Sequence, residues 1–184
     1  MDISQQAISD YKHPNAQKLL KMLSGAEGTL NKKTQEQQYN IMFGGSTFND
    51  LSKHPDKVIH STKYSSAAAG AYQFMPQTFQ ARAKQLGLPD FSPKSQDLAA
   101  LATIRARGVN PTQPITRQMV AQLAPEWASL PNMSGVSVYG QPVKSWNELM
   151  QFYNIKPKKS VVGTVKATAA VSIPKKGPLS IFGF

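Results

Sequence analysis

Glu27 is the residue around which a chemistry can be argued. It stands in SGAEGT, Ser24 to Thr29, a lone acid among small residues at the end of an apolar-patterned stretch. The negative pole of a preceding helix disfavours ionisation of a carboxyl placed at its end. Apolar neighbours act in the same direction, so the pKa of such a group rises. A carboxylic acid that stays protonated near neutral pH is what protonating a glycosidic oxygen requires. A surface glutamate beside a helix-ending glycine is the plain alternative.

Glycosidases use a second carboxylate, as nucleophile or as the base that activates water. The best-spaced partner is Glu36 in NKKTQEQQYN, and Asp50 and Asp56 follow further on. All three read as solvated loop acids, and no convincing partner emerges. One cleavage of a sugar bond needs none, because no water attacks. In peptidoglycan the C6 hydroxyl of muramic acid can attack its own anomeric carbon. A single glutamate then gives a proton to the leaving oxygen and takes one from that hydroxyl, and the N-acetyl group of the substrate helps to stabilise the positive intermediate.

The elements that must position Glu27 are mainly helical. NAQKLLKMLSG, residues 15–25, predicts an amphipathic helix entered at Pro14, with Leu19, Leu20 and Leu23 along one face and Gly25 as its end. Between Tyr39 and His60 the composition turns to strand-forming residues, with Gly44-Gly45 as a tight hairpin turn. Pro76 opens the next helix and Gly87 stops it; Ser92 caps another, with Pro93 behind it and Gly108 as terminator. ITRQMVAQLAPEWASL repeats the apolar period, with Pro125 starting a second short helix, and Ser145 and Glu148 have capping-box spacing. Helices with one small strand region predict an α+β domain over 1–154. Residues 155–184 carry six lysines, prolines and no acid, and have no helical period.

Composition excludes several classes. A chain of 184 residues builds one domain with a proper core, and its 40% hydrophobic and 17% charged residues are those of an ordinary globular protein. No apolar run is long enough for a transmembrane segment, and MDISQQAISDYKHP lacks the pattern of a secretory signal. The absence of cysteine removes disulfides, thiolate zinc sites and cysteine nucleophiles. His13, His54 and His60 are too few and too dispersed for an HExxH site, so neither a metal nor a cofactor is expected. The net charge of +11 is concentrated in the tail, and no nucleic-acid-reading module is recognisable, so a nucleic-acid partner is not expected.

Several segments then agree, in order, with one known family: AEGT at Ala26 to Thr29, YN at Tyr39 and Asn40, FGG with Phe48 beyond it, and HP at His54 and Pro55. SSAAAGAYQF at Ser65 to Phe74, KQLGLPDFSPKSQDLAAL at Lys84 to Leu101, WASLP at Trp127 to Pro131 and YGQ at Tyr139 to Gln141 continue it. Over roughly residues 14–153 the sequence resembles the phage lambda endolysin family of lytic transglycosylases, which have a lysozyme-like fold. The resemblance implies a mainly helical fold with a small β lobe and a cleft between lobes. It implies that Glu27 is the catalytic acid and base, and that Tyr72 and Gln73 lie in the cleft near the scissile bond. It further implies Tyr39, Asn40, Phe48, Ser66 and Tyr139 as wall residues, with Phe48 and Phe74 reading equally well as core aromatics. Trp127 and Trp146 are expected in the core.

The function so implied is cleavage of MurNAc–GlcNAc β-1,4 bonds with 1,6-anhydromuramic ends, on peptidoglycan strands as substrate. The alternatives are a hydrolytic lysozyme on the same fold and a virion structural protein with an inactive domain; a DNA-packaging protein ranks last. The basic tail reads as a cationic extension attracted to anionic wall or membrane, as an anchor to phage tail or other virion proteins, or as inert. Action from the virion on the host periplasm and wall is expected; accumulation in the host cytoplasm with release at lysis is the alternative.

Overall fold

The computed structural model describes residues 2–155, apart from Lys32 and Lys63. Six helices carry the body: α1 Ile3–Tyr11, α2 Pro14–Ala26, α3 Pro76–Leu86, α4 Pro93–Ala106, α5 Arg117–Leu123 and α6 Trp146–Tyr153. Between α2 and α3 runs an irregular lobe with a short 3-10 turn, Phe43–Gly45, and an antiparallel strand pair. Strand β1, Ile59–His60, pairs with β2, Ser65–Ser66, in the register Ile59 opposite Ser66.

Local chemistry sets the helix ends. His13 Nδ1 accepts the Asn15 N–H at 3.2 Å and Pro14 occupies the first turn, so α2 starts where its unpaired N–H groups are satisfied or absent. Ser92, Thr116 and Ser145 cap α4, α5 and α6, the last as a full capping box with Glu148. Gly87 ends α3 in the left-handed conformation, φ 65°. Helix α4 is buried over every residue from Ser95 to Ile104 and forms the centre of the body, against which α1, α2 and α3 pack. Beside it, Phe79 and Phe91 meet edge to face at 4.5 Å, and the buried His54 ring lies 4.9 Å from Phe91.

Four features differ from the sequence expectations. Helix α1 has no counterpart in them; it buries only Ala7 and Asp10, and the fully buried Asp10 carboxylate receives a two-pronged bond from Arg105 of α4, both contacts 2.8 Å. Gly25 does not end α2 but lies within it. A Cβ there would sit 2.4 Å from the Phe152 ring, so the glycine is the space into which α6 packs. Gly44-Gly45 does turn the chain, through a 3-10 turn between the bridged residues Ile41 and Thr47, while the paired strands lie further on at Ile59–Ser66. No second helix starts at Pro125; the Trp127 N–H bonds to Leu123 O and the Leu130 N–H to Trp127 O in consecutive turns. Both tryptophans pack as expected, Trp127 buried and Trp146 half-buried beneath the Arg117 guanidinium at 5.3 Å. The expectations for the basic tail lie outside the described residues, apart from Ile155.

Gly25→Ala tests the α2–α6 contact. The ring of Phe152 must shift to admit one methyl, and the expected net loss is about 1–2 kcal/mol after the better helix propensity of alanine is counted. Thermal unfolding measures it, and because Phe152→Ala removes the atoms in the way, Gly25→Ala/Phe152→Ala should cost less than the sum of the two single substitutions.

Candidate active site

Glu27 is the last residue of the turn that closes α2; its N–H bonds to Leu23 O at 2.9 Å. The next residue, Gly28, takes φ +75°, and a Cβ there would meet nothing within 4 Å, so the chain turns away beside open space. Thr29 then fixes the turn. Its buried hydroxyl bonds to Ser24 Oγ at 2.8 Å and donates to Ala71 O at 2.5 Å. The Glu27 carboxyl itself is partly buried, and the Ser129 hydroxyl donates to Oε1 at 2.6 Å. Burial raises its pKa from the usual 4.5 to about 7, against the opposing hydrogen bonds from the Ser129 side chain and backbone.

Residues 69–74 form the seat on which both halves of this pair rest. Ala69 and Phe74 bridge, and Gly70 turns the chain at φ +81°, where a Cβ would lie 2.2 Å from Gln96 Oε1. Gln96 of α4 is fully buried and fully occupied. Its Oε1 accepts the Ala71 N–H at 2.9 Å, and its Nε2 donates to Tyr39 O and Phe91 O at 3.0 and 2.8 Å. The next carbonyl, Tyr72 O, accepts the Trp127 indole N–H at 3.2 Å. Thr29, two residues after Glu27, and Trp127, two before Ser129, thus dock on consecutive carbonyls.

Behind the turn lies a second buried carboxyl. Tyr72 and Tyr39 both donate their hydroxyls to Asp97 Oδ1, at 2.5 and 3.0 Å, and Gln37 Nε2 donates to Tyr72 Oη at 2.7 Å. Burial pushes Asp97 up to about 7 as well, with the two phenols opposing the shift.

The structure sorts the residues singled out in the sequence. Glu27 occupies the setting expected of it, partly shielded at a helix end. Tyr39 and Tyr72 come together, rings edge-on at 6.5 Å, but Tyr72 is fully buried and presents no surface to a sugar in this conformation; its side chain braces Asp97. Gln73 keeps partial exposure and takes φ +47°, with Nε2 bonded to Gly70 O at 3.0 Å. Asn40 accepts the Phe48 N–H through its carbonyl, and Phe48 is half-buried with its ring 6.1 Å from Phe91, a core contact. Ser66 lies on β2, its hydroxyl 3.7 Å from Met75 Sδ. Tyr139 is well exposed on a separate loop and donates its hydroxyl to Pro125 O at 2.6 Å. Glu36, Asp50 and Asp56 are exposed; Asp50 caps the Ser52 N–H at 2.8 Å. His54 Nε2 bonds to Phe74 O while Nδ1 accepts the Asp56 N–H, and no group of three metal-ligating side chains occurs among the described residues.

Sequence reasoning missed four residues of this constellation. Thr29 and Ser129 sat inside the matched AEGT and WASLP segments without a role. Gln96 and Asp97 were read only as part of a helix; the signal available was two polar residues in an otherwise apolar helix face.

Comparison with known proteins agrees with the fold. A family model described as Endolysin matches residues 17–159. The chain is 42% identical over 127 residues to the endolysin of Escherichia phage lambda, covering 66% of this chain and 78% of the relative. It is 34% identical over 152 residues to the endolysin of Escherichia phage P2, covering 75% and 90%. Among solved structures it is similar to bacteriophage lambda lysozyme in complex with a chitohexasaccharide, with TM-score 0.68, 38% identity and coverage of 77% of this chain and 92% of the other. A second structure of lysozyme from bacteriophage lambda gives TM-score 0.63 at 34% identity, covering 77% and 90%.

The carboxyl geometry has a readable pH signature. An NMR titration should place the Glu27 midpoint near 7, and Ser129→Ala should move it higher, because the lost hydrogen bonds favoured the ionised form. The folded pKa lies above the unfolded one, so the stabilisation is complete below pH 4.5 and is lost as the pH rises through 7. Glu27→Gln should flatten this part of the stability profile in urea unfolding followed from pH 4 to 8.

Proposed function

The chain belongs to the Endolysin family, cell-wall-degrading enzymes of lysozyme-like fold, and from that premise we propose that it is a lytic transglycosylase acting on peptidoglycan. The observation that carries the reading is the Glu27 carboxyl: a single acid, partly buried, held by Ser129 and poised near pH 7. The Ser129 hydroxyl engages Oε1, and Oε2 is the oxygen we assign to the substrate. Protonated Glu27 gives its proton to the glycosidic oxygen as the bond to the muramic anomeric carbon breaks, and the N-acetylglucosamine end leaves as an alcohol. The C6 hydroxyl of the same muramic residue then bonds to that carbon and returns its proton to Glu27. No water is consumed, and no second carboxylate is asked to activate one.

Ser129 acts here as a positioning residue. It fixes one rotamer of the acid and moderates its pKa, so that the group both gives and regains a proton near neutrality. Gln73, in a left-handed conformation that costs about 1 kcal/mol for a residue other than glycine, is the exposed side chain of the supporting turn and the one we assign to the sugar. Tyr39, Asn40, Phe48, Ser66 and Tyr139 stay as wall residues in this proposal, while Tyr72 contributes from beneath. Residues 1–154 are proposed as the catalytic domain. The place of action is the cell wall of the host; the phage endolysins that this chain resembles favour release at lysis, and proteomics of purified particles would detect a tail-associated role.

Digestion of peptidoglycan followed by mass spectrometry tests the chemistry. The expected muropeptides end in 1,6-anhydromuramic acid, lighter by one water than those of a hydrolase, and Glu27→Gln should lower the rate at least ~1,000-fold, as loss of an acid and base together does. Reducing-end products would assign hydrolysis instead, and equal, negligible activity of both proteins would leave an inactive scaffold.

A further inference from the structure

A row of lysines along the helix that ends at the acid points to a binding groove for the peptide part of the substrate, an inference that rests on the proposed reading of Glu27. On α2, Pro14, Gln17, Lys18 and Lys21 line a cavity of about 430 Å³, completed by Lys12, Gln37 and Ile155. A second cavity of about 300 Å³ is lined by Gly25, Gly28, Phe152 and Lys144 among others, and shares Ile155 with the first. Positions 14, 17, 18, 21 and 25 recur at helical spacing, so they form one stripe, with Phe152 of α6 packed against its Gly25 end. The stripe runs ~16 Å from Pro14 to Gly25 at 1.5 Å per residue. It ends at Gly28, the residue that follows Glu27. Among the described residues neither cavity is lined by an aspartate or glutamate, and the carboxylate of Glu148 approaches Lys144 Nζ at 3.9 Å from outside them.

The charge and size select an occupant. Four ammonium groups, three of them in the larger of the two cavities, attract carboxylates. Lys18 is held in place by its contact with the Tyr153 ring, 5.5 Å from the centroid. Each muramic residue carries a peptide on its lactyl group, rich in free carboxylates and attached beside the bond to be cut. Four or five residues of extended peptide span roughly 13–17 Å, the length of the stripe. We propose that Lys12, Lys18, Lys21 and Lys144 form a subsite for the acidic stem peptide, so that the enzyme favours peptide-bearing strands over bare glycan.

Affinity of the Glu27→Gln protein for glycan strands, with stem peptides and after their enzymatic removal, tests this by calorimetry. Peptide-bearing strands should bind about tenfold more tightly, a preference that falls to near parity in Glu27→Gln/Lys18→Gln/Lys21→Gln and is restored by arginine at both lysine positions. Arginine also shows that any loss is of charge and not of fold. Equal affinity for the two strands, a loss the same on both, or tighter binding of duplex DNA than of the peptide-bearing strand would overturn the proposal. The readout is binding, so it can fail while the products still carry anhydro ends, and it can hold if they prove to be reducing sugars.

Discussion

The carbonyls of Ala71 and Tyr72 are the constraint on which the site depends. A backbone turn buried between α2, α4 and the Trp127 segment carries polar groups that water cannot reach, and each must find a partner or cost a kilocalorie or more. Here the partners are side chains from the two segments that bring the acid and its hydroxyl donor. Thr29 takes one carbonyl and Trp127 the next, so satisfying the turn also sets the spacing between Glu27 and Ser129. Gln96 holds the same turn from below by the Ala71 N–H. The geometry of the carboxyl is thus a by-product of hydrogen-bond closure in the core, and it is as rigid as that core.

Two carboxyls share a pKa near 7 for the same physical reason, burial, and yet differ in what they can do. Asp97 accepts from two phenols within the body, so its oxygens are committed to structure. Glu27 accepts from Ser129 and is only partly buried, next to a glycine with open space beside it. A displaced pKa is therefore no mark of catalysis by itself; access separates the brace from the acid.

Much of the framework was legible in the sequence because its signals are local. Caps at Ser92 and Ser145, proline entries at Pro14 and Pro76 and the stop at Gly87 act within one turn of the residues they govern, and all stand where they were expected. The misreadings share one cause, a partner distant in the chain. Gly25 looks like a helix stop until Phe152 is placed against it. Helix α1 has little apolar pattern of its own, since what holds it is Arg105. Tyr72 looks like a sugar-facing aromatic until Asp97 is brought beneath its hydroxyl. The partly shielded, helix-end setting of Glu27 was legible locally and its role only through the resemblance, whereas Ser129, the residue that holds it, is 102 positions away.

Glu27 is only partly buried, so the protein does not supply all of the acid's surroundings. In the free enzyme solvent completes them, and on the proposed reading the arriving sugar replaces it. Each water so displaced makes the anion costlier, so the docked glycan tightens the hold of Glu27 on its proton. The catalyst would then be loaded most fully at the moment a chain lies across it, with the substrate supplying part of its own activation.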